Sequence, residues 1–221
     1  MEYRCVTRSV EGFVQQLAVS YLRNGYWFYV TGRIPDGKDP AAVDAKLITR
    51  YEIGISKWAR ARRKRSGLAN MQYLRHGRFF VLLATHGHSR FFGDEGDLVR
   101  DARRVAIKFA GYAISYRNGH PSVRIDLEEY KRLKGYLMDV ACHRSAESLA
   151  EEFRQLRFEP YAPVRRQLLN ILRAVNRERT SAGFAPIPFS CLRFRRRTTC
   201  SFAQTIERQS HQGILSRVEP P

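Results

Sequence analysis

One long stretch of the chain combines many cations with a complete lack of carboxylates. Residues 53–93 contain no Asp or Glu, although the whole chain has 21 of them. Clustered Lys and Arg side chains displace counterions from a polyphosphate, and aromatic rings among them offer planes on which bases can stack. The pattern therefore predicts an anion-binding surface, and nucleic acid is the polyanion that fits it best. The residues of this stretch predicted to contact nucleic acid are Lys57, Trp58, Arg60, Arg62, Arg63, Lys64, Arg65, Arg75, Arg78 and Arg90.

Three further aromatic residues of this stretch are candidate stacking surfaces for bases: Tyr73, Phe79 and Phe80. Because Arg75 and Arg78 follow the basic run 57–65 after a short connection, we expect one continuous basic face. Arg166, Arg173 and Arg177 recur at helical spacing near the carboxyl end, and we expect them to extend that face. The sequence does not distinguish DNA from RNA or fix the oligomeric state.

The composition bounds the remaining classes of function. The 221 residues carry 39 Lys and Arg against 21 Asp and Glu, a formal charge of +18, which favours an acidic partner. A membrane surface would be the competing partner, but the longest apolar run, 79–85, suits a buried strand and is far too short to span a bilayer. The start of the chain lacks an apolar signal core, and four cysteines lie at irregular separations without a C-x-x-C pair. These features predict a cytoplasmic protein with reduced thiols and no membrane contact.

Hydrophobic periodicity and turn signals predict an α+β fold. A helix over 9–23 is followed by a strand at 26–31, a helix from Pro40 and a basic helix over 57–65. Two hairpins follow, 71–84 and 105–125, with Asn118-Gly119 as the turn of the second. Between the hairpins, an acidic patch at 94–101 predicts the first turns of a short helix. We expect an antiparallel sheet built from the two hairpins and the early strand.

The carboxyl-terminal part is predicted to be helical. Helices are expected over 126–143, 145–157 and 164–182, and Gly183 ends the last of them. We therefore expect one nucleic-acid-binding domain over 1–183. The stretch 184–221 contains the basic cluster Arg193, Arg195, Arg196 and Arg197, and it is predicted to be a basic, largely extended or disordered tail.

The His86-Gly87-His88 sequence is the one candidate for metal chemistry. The order of predicted elements, together with this pair, resembles the HUH endonucleases of rolling-circle replication and single-strand transposition. The resemblance implies a divalent metal, Mg²⁺ or Mn²⁺, held by His86 and His88 with Asp94 or Glu95, and a tyrosine nucleophile at Tyr130 or Tyr136. It also implies a link to a mobile element or to replication. Glycine stands where that motif has an apolar residue, and the histidines follow a strand instead of lying along it.

A second resemblance covers most of the chain up to about residue 197. The segments SVEGFVQQLAVSY, FYVTGRIPDGKDPAAVD, SKWARARRKRSGLANMQYLRHGRFFVLLATHGH and FEPYAPVRRQLLNILRAVNR resemble a group of basic bacterial proteins to which no activity is assigned. This resemblance implies a bacterial protein and leaves its function to the residues.

Three hypotheses thus follow from the sequence. The first is a non-catalytic nucleic-acid-binding protein with little sequence specificity and no cofactor. The second is an HUH-like, metal-dependent nuclease or transposase acting on single-stranded DNA. The third is an adaptor that binds acidic proteins, because a run of cations is often only a solvated surface.

Overall fold

The computed structural model describes residues 3–195 and 201–202, and it confirms the predicted α+β class. The helices are α1 (Val10–Gln15), α2 (Pro40–Arg50), α3 (Lys57–Arg65), α4 (Arg90–Glu95), α5 (Leu127–Asp139), α6 (Ala146–Gln155) and α7 (Ala162–Ser181). The strands are β1 (Phe28–Arg33), β2 (Met71–His76), β3 (Phe79–Ala84), β4 (Arg100–Asp101), β5 (Ile107–Phe109), β6 (Tyr112–Arg117) and β7 (His120–Ile125). None of the helices in these ranges is long and apolar enough to cross a membrane.

The first sheet has the strand order β2-β3-β1-β4, and all its pairings are antiparallel. Its central strand β3 is the apolar run that the sequence predicts to be buried. Alternate residues of β3 point to opposite faces, so Val81 and Leu83 join one core while Leu82 joins another. The sheet is therefore covered on both faces, which explains why β3 is apolar without alternation.

The second hairpin forms a separate sheet with the order β5-β6-β7. Asn118 and Gly119 both have positive φ angles, 52° and 78°, as the predicted two-residue turn requires. The sequence predicted that the two hairpins share one sheet, but they form two separate sheets. A hydrogen bond from Tyr116 N to Ala102 O, at 3.0 Å, joins the central strand β6, beyond its pairing with β5, to the segment that follows β4.

A large core and a small core lie on opposite faces of the first sheet. The large core contains Phe13 of α1 and apolar side chains from both sheets and from α5, α6 and α7. The small core lies under α2 and α4 and contains Tyr73, Leu82 and Phe91. Helix α1 thus packs between the two sheets.

Helix α1 does not remain regular over the predicted range 9–23. After Gln15 it widens into a π-helix, Gln16–Tyr21, and then tightens into a 3₁₀ turn, Leu22–Asn24. Gly25, with a φ of 89°, ends it. π-Helical turns are rare, and they occur frequently at functional sites.

The packed part of the chain continues beyond residue 183, where the predicted tail begins. Ile187, Cys191 and Leu192 are buried in the large core. Arg179, only 2% exposed, donates hydrogen bonds to the carbonyl oxygens of Ala141, Arg144 and Ala185 and so holds this segment against the end of α5. The predicted basic residues Arg196 and Arg197 lie outside the described residues.

Helix α2 is attached to the first sheet by a buried carboxylate. Asp44 is the one fully buried residue of α2, and it accepts a hydrogen bond of 2.5 Å from the Tyr73 hydroxyl. Nε of Arg75 donates to its two carboxylate oxygens at 2.8 and 3.0 Å, and Nη2 donates to Oδ2 at 2.7 Å. The Cys5 thiol lies 3.9 Å from Oδ2, and burial, followed by the Asp44 charge, raises the pKa of that thiol to about 11. Asp44 therefore joins the amino-terminal segment, β2 and α2.

We expect Asp44→Ala to lower the free energy of unfolding by about 3–5 kcal/mol, because it leaves the Arg75 guanidinium buried without a counter-charge. Urea denaturation monitored by circular dichroism measures this change. Asp36→Ala is the matched control, since Asp36 also pairs with an arginine, Arg78, but its side chain is 89% exposed. The control should cost about 1 kcal/mol or less. Equal losses in the two variants would contradict a special role for Asp44.

Candidate nucleic-acid interface

Helix α3 is held to the protein by two arginines. Ser56 caps it by accepting a hydrogen bond from Ala59 N, and no α3 side chain is fully buried. Arg60 Nη2 donates to Ile53 O at 3.2 Å, and Arg63 Nη1 pairs with Glu52 at 2.5 Å. Both arginines leave a buried Nε without a hydrogen-bond partner among the described residues. The sequence predicted Arg60 and Arg63 as ligand contacts, and the structure engages one guanidinium nitrogen of each as an anchor of α3.

The opposite face of α3 is cationic and aromatic. At about 100° per residue, Trp58, Arg62 and Arg65 share the face that points away from the two anchors. Trp58 is 76% exposed, the most exposed large hydrophobic side chain that the structure describes. Lys57 and Lys64 lie on one flank of the helix and are also exposed. Trp58, which the sequence predicts as a nucleic-acid contact, is thus exposed to solvent.

Arg75 and Arg78 were predicted to extend this surface, but they do not. The Arg75 side chain is 11% exposed and neutralised by Asp44, so it belongs to the core of the molecule. Arg78 pairs with Asp36 at 3.1 Å and donates to the carbonyl oxygens of Pro35, Asp36 and Lys38. Both guanidiniums are therefore occupied in fixing the β1–α2 connection and α2.

Of the predicted stacking surfaces in the first hairpin, Tyr73 is fully buried. Phe79 packs on Phe109 and Phe13, and Phe80 packs on Tyr73. These rings contribute to the cores, because the β2–β3 hairpin is covered on both faces.

Arg90 lies in a cleft of about 740 Å³ beside the Arg63 flank of α3. It shares the Asp94 carboxylate with Arg50, at 3.1 and 3.0 Å. Burial alone would raise the pKa of Asp94, but hydrogen bonds and charge from both arginines lower it below its ordinary value. The cations of this cleft are thus largely neutralised by Asp94 and by Glu52. The predicted acidic patch lies at the end of α4, not in its first turns, and the two arginines offset that unfavourable position.

A second basic surface lies on α7. Arg166, Arg173 and Arg177 are exposed, and the structure shows no ion pair for them among the described residues. Helix α7 packs on the second sheet, where the Gln167 side chain exchanges hydrogen bonds with the backbone of Ile125. The anchors of α3 lie instead at residues 52–53 beside the first sheet. The α7 cations therefore form a stripe of their own.

The glycine between the two histidines has a packing role. Gly87 has a φ of 132°, and a Cβ atom there would lie 2.7 Å from backbone atoms of Gly67, Leu68 and Ala69. The two segments are also joined by hydrogen bonds on either side, from His88 N to Gly67 O and from Ala69 N to His88 O, both 2.9 Å. The His-Gly-His sequence is thus explained by close backbone contact.

The described residues do not assemble the HUH-like site. No group of three or more His, Cys, Asp or Glu that could hold a metal ion occurs among them. The His86 ring lies beside Phe28, and Phe28 packs on the small core, whereas Tyr130 packs on the large core across the first sheet. Asp94 is engaged by two arginines, and Glu95 accepts a hydrogen bond of 2.5 Å from the Tyr51 hydroxyl. Tyr136 donates to Glu152. These residues do not fit a metal site, and we derive no catalytic step from them.

The sequence missed a group of polar residues on the other flank of α3. Gln16 and Tyr21 of the π-helix, together with Tyr3 and Gln72, line a cleft of about 780 Å³ beside Lys57 and Arg60. Gln72 was the available signal, because it is a polar residue in the middle of a buried strand. The π-helix itself has no sequence signature.

Comparisons with known proteins give no family: no family model matches the chain, and a search of curated proteins finds no significant match. The geometry of the described residues is therefore the basis for a function.

We expect Gly87→Ala to lower the free energy of unfolding by about 1–3 kcal/mol or more. Alanine at this position would clash with neighbouring backbone atoms and would also have an unfavourable φ. Chemical denaturation measures the loss. Gly93→Ala is the control, since a Cβ atom at that position has no neighbour within 4 Å. If Gly87→Ala were as stable as the control, the packing explanation for the glycine would be wrong.

Proposed function

We propose that this protein binds nucleic acid through the outward face of α3 and its adjoining flank with Lys57 and Lys64, with Arg62, Lys64 and Arg65 on phosphates and Trp58 stacked on a base. The single observation that carries the proposal is the exposure of Trp58 on a helix where Arg62, Lys64 and Arg65 form no ion pair with a described residue. An exposed tryptophan is costly in water, and its indole face suits both a base and a cation.

Little sequence specificity is expected from this surface. Phosphate contacts carry no direct sequence information, and stacking on an indole accepts any base. Helix α3 has nine residues and two of its arginines are anchors, so few side chains remain to read base edges. The preference between DNA and RNA would depend on contacts beyond α3.

The α7 stripe supports a second contact with the same ligand. Its cations are exposed and lie on a rigid helix of 20 residues. Because α7 and α3 are attached to different sheets, one strand would have to wrap the protein, or two strands would be held together. The described cysteines, Cys5, Cys142 and Cys191, are free thiols, which fits the cytoplasmic setting that belongs to this proposal.

The α3 contacts can be tested by the salt dependence of binding. The triple variant Arg62→Ala, Lys64→Ala, Arg65→Ala should flatten the slope of log affinity against log salt by about 2–3, because up to three phosphate contacts are lost. Fluorescence anisotropy with a labelled oligonucleotide at several salt concentrations measures the slope.

The matched control for this experiment removes the same charge from ion pairs elsewhere: Lys131→Ala, Arg132→Ala and Arg154→Ala. Its slope should stay close to that of the unaltered protein. Equal flattening in both triple variants would assign binding to net charge and not to α3. Polyglutamate serves as a competitor, and its binding in preference to the oligonucleotide would favour the alternative of an acidic protein partner.

Trp58→Ala should weaken binding of a single strand by about 1–3 kcal/mol, because a stacking surface is removed without any change in charge. The free energy of unfolding should change by no more than about 0.5 kcal/mol, since the side chain is exposed. Anisotropy titrations and urea denaturation measure the two effects. Phe189→Ala, at a ring that is 49% exposed elsewhere on the surface, is the control. An unchanged affinity in Trp58→Ala would remove Trp58 from the interface.

A further inference from the structure

The cleft on the Lys57 flank of α3 differs from the other cleft beside that helix in its charge. It has a volume of about 780 Å³, and its described lining includes cations but no Asp or Glu. The cleft on the Arg63 flank contains Glu52 in its lining, and its Arg50 and Arg90 share Asp94. An anion can therefore enter the Lys57 side without displacing a protein carboxylate.

The π-helix explains how two polar side chains come to share this cleft. In a π-helix the backbone hydrogen bonds run between residues five apart, so Gln16 and Tyr21 lie on the same side of the helix. In a regular α-helix the neighbours on one face are three or four residues apart, and these two side chains would diverge. Gln16 and Tyr21 both line the cleft, beside Tyr3.

The floor of the cleft is a set of polar groups that hold one another in place. The Tyr3 hydroxyl accepts a hydrogen bond from Tyr73 N at 2.9 Å and donates to Gln72 Oε1 at 2.7 Å. Gln72 Nε2 donates to the Tyr26 hydroxyl at 3.3 Å. Burial raises the pKa of Tyr3 and of Tyr21, so both phenols remain protonated.

This chemistry matches a nucleotide. Carboxamides present donors and acceptors in the plane of the side chain, as the edge of a base does, and Gln16 and Gln72 supply two of them. The half-buried ring of Phe202 in the lining can contact the face of a base. Lys57 and Arg60 at the margin belong to α3, the helix proposed to follow the phosphate backbone. A strand lying on α3 would therefore pass the open side of the cleft.

We propose that this cleft binds one unstacked nucleotide of a single strand, with its base among Gln16, Tyr21 and Gln72 and its phosphate on Lys57 and Arg60. The inference rests on the proposed binding of nucleic acid by α3 and adds a site that depends on the base.

The experiment compares an oligoadenylate with an abasic oligomer of the same length and charge, in DNA or RNA form, whichever the unaltered protein binds more tightly. Anisotropy titrations give the ratio of the two affinities. In Gly54→Trp an indole occupies the cleft lining without removing charge, and a Cβ atom at Gly54 has only ordinary contacts, at 3.8 and 4.0 Å. Gly135→Trp, on α5 where a Cβ atom has no neighbour within 4 Å, is the matched control. Gln16→Ala is a second variant that shortens a side chain in the cleft.

The unaltered protein should prefer the oligoadenylate by roughly 5- to 100-fold, as binding of one base predicts. Gly54→Trp should lower this preference while leaving the affinity for the abasic oligomer unchanged, Gln16→Ala should lower it less, and Gly135→Trp should retain it. Because Trp58 also stacks on a base in the proposed function, a preference that is undiminished in Gly54→Trp and disappears in Trp58→Ala would overturn the cleft site alone. Salt-dependent binding without any preference would overturn both the cleft and the stacking on Trp58, and only the phosphate contacts of α3 would stand. Absence of binding to either oligomer would overturn both.

Discussion

The buried ion pair between Asp44 and Arg75 is the constraint on which the rest of the basic region depends. It is the point where the amino-terminal segment, β2 and α2 meet, and the hydroxyl of Tyr73 completes the set of donors around the carboxylate. Helix α2 contributes no fully buried apolar side chain, so its position on the sheet follows from this polar contact more than from buried apolar area. The turn that follows α2 supplies the Ile53 carbonyl oxygen and the Glu52 carboxylate, and these two groups anchor α3. A change at Asp44 should therefore be felt at the proposed interface, although no residue of the pair lies on it.

Arginines in this protein serve two purposes that the sequence does not separate. Five arginines bind carbonyl or carboxylate groups and position helices: Arg60, Arg63, Arg75, Arg78 and Arg179. Five others face the solvent: Arg62, Arg65, Arg166, Arg173 and Arg177. A guanidinium has five donors in a planar arrangement, so it can join several backbone carbonyls at once, as Arg179 does. In this way part of the excess positive charge stabilises the fold, and a smaller, localised group of cations is left to bind a ligand.

Carboxylates in and near the two clefts beside α3 decide which cations are available to bind an anion. On the Arg63 flank, Glu52 and Asp94 neutralise the arginines, and the histidine there is positioned by a backbone contact at Gly87. On the Lys57 flank, the described lining contains amides and phenols but no carboxylate. The residues that resemble the HUH motif lie near the Arg63 flank. The polar cleft without a described carboxylate in its lining lies on the Lys57 flank.

The sequence by itself determined the elements and their class. Helix caps, the Asn118-Gly119 turn and the spacing of apolar residues depend on interactions within a few residues, so α2, α3, both hairpins and the terminal helices could be predicted. The basic character of α3 was equally local. Only the tertiary structure decided that the hairpins form two sheets, that Arg75 pairs with an acid 31 residues away, and that Trp58 is exposed. It also decided that the helix of residues 10–24 widens at Gln16 and opens a polar cleft beside α3. These features depend on which segments meet in space, and neither periodicity nor composition carries that information, because the partner of a buried charge can come from any part of the chain.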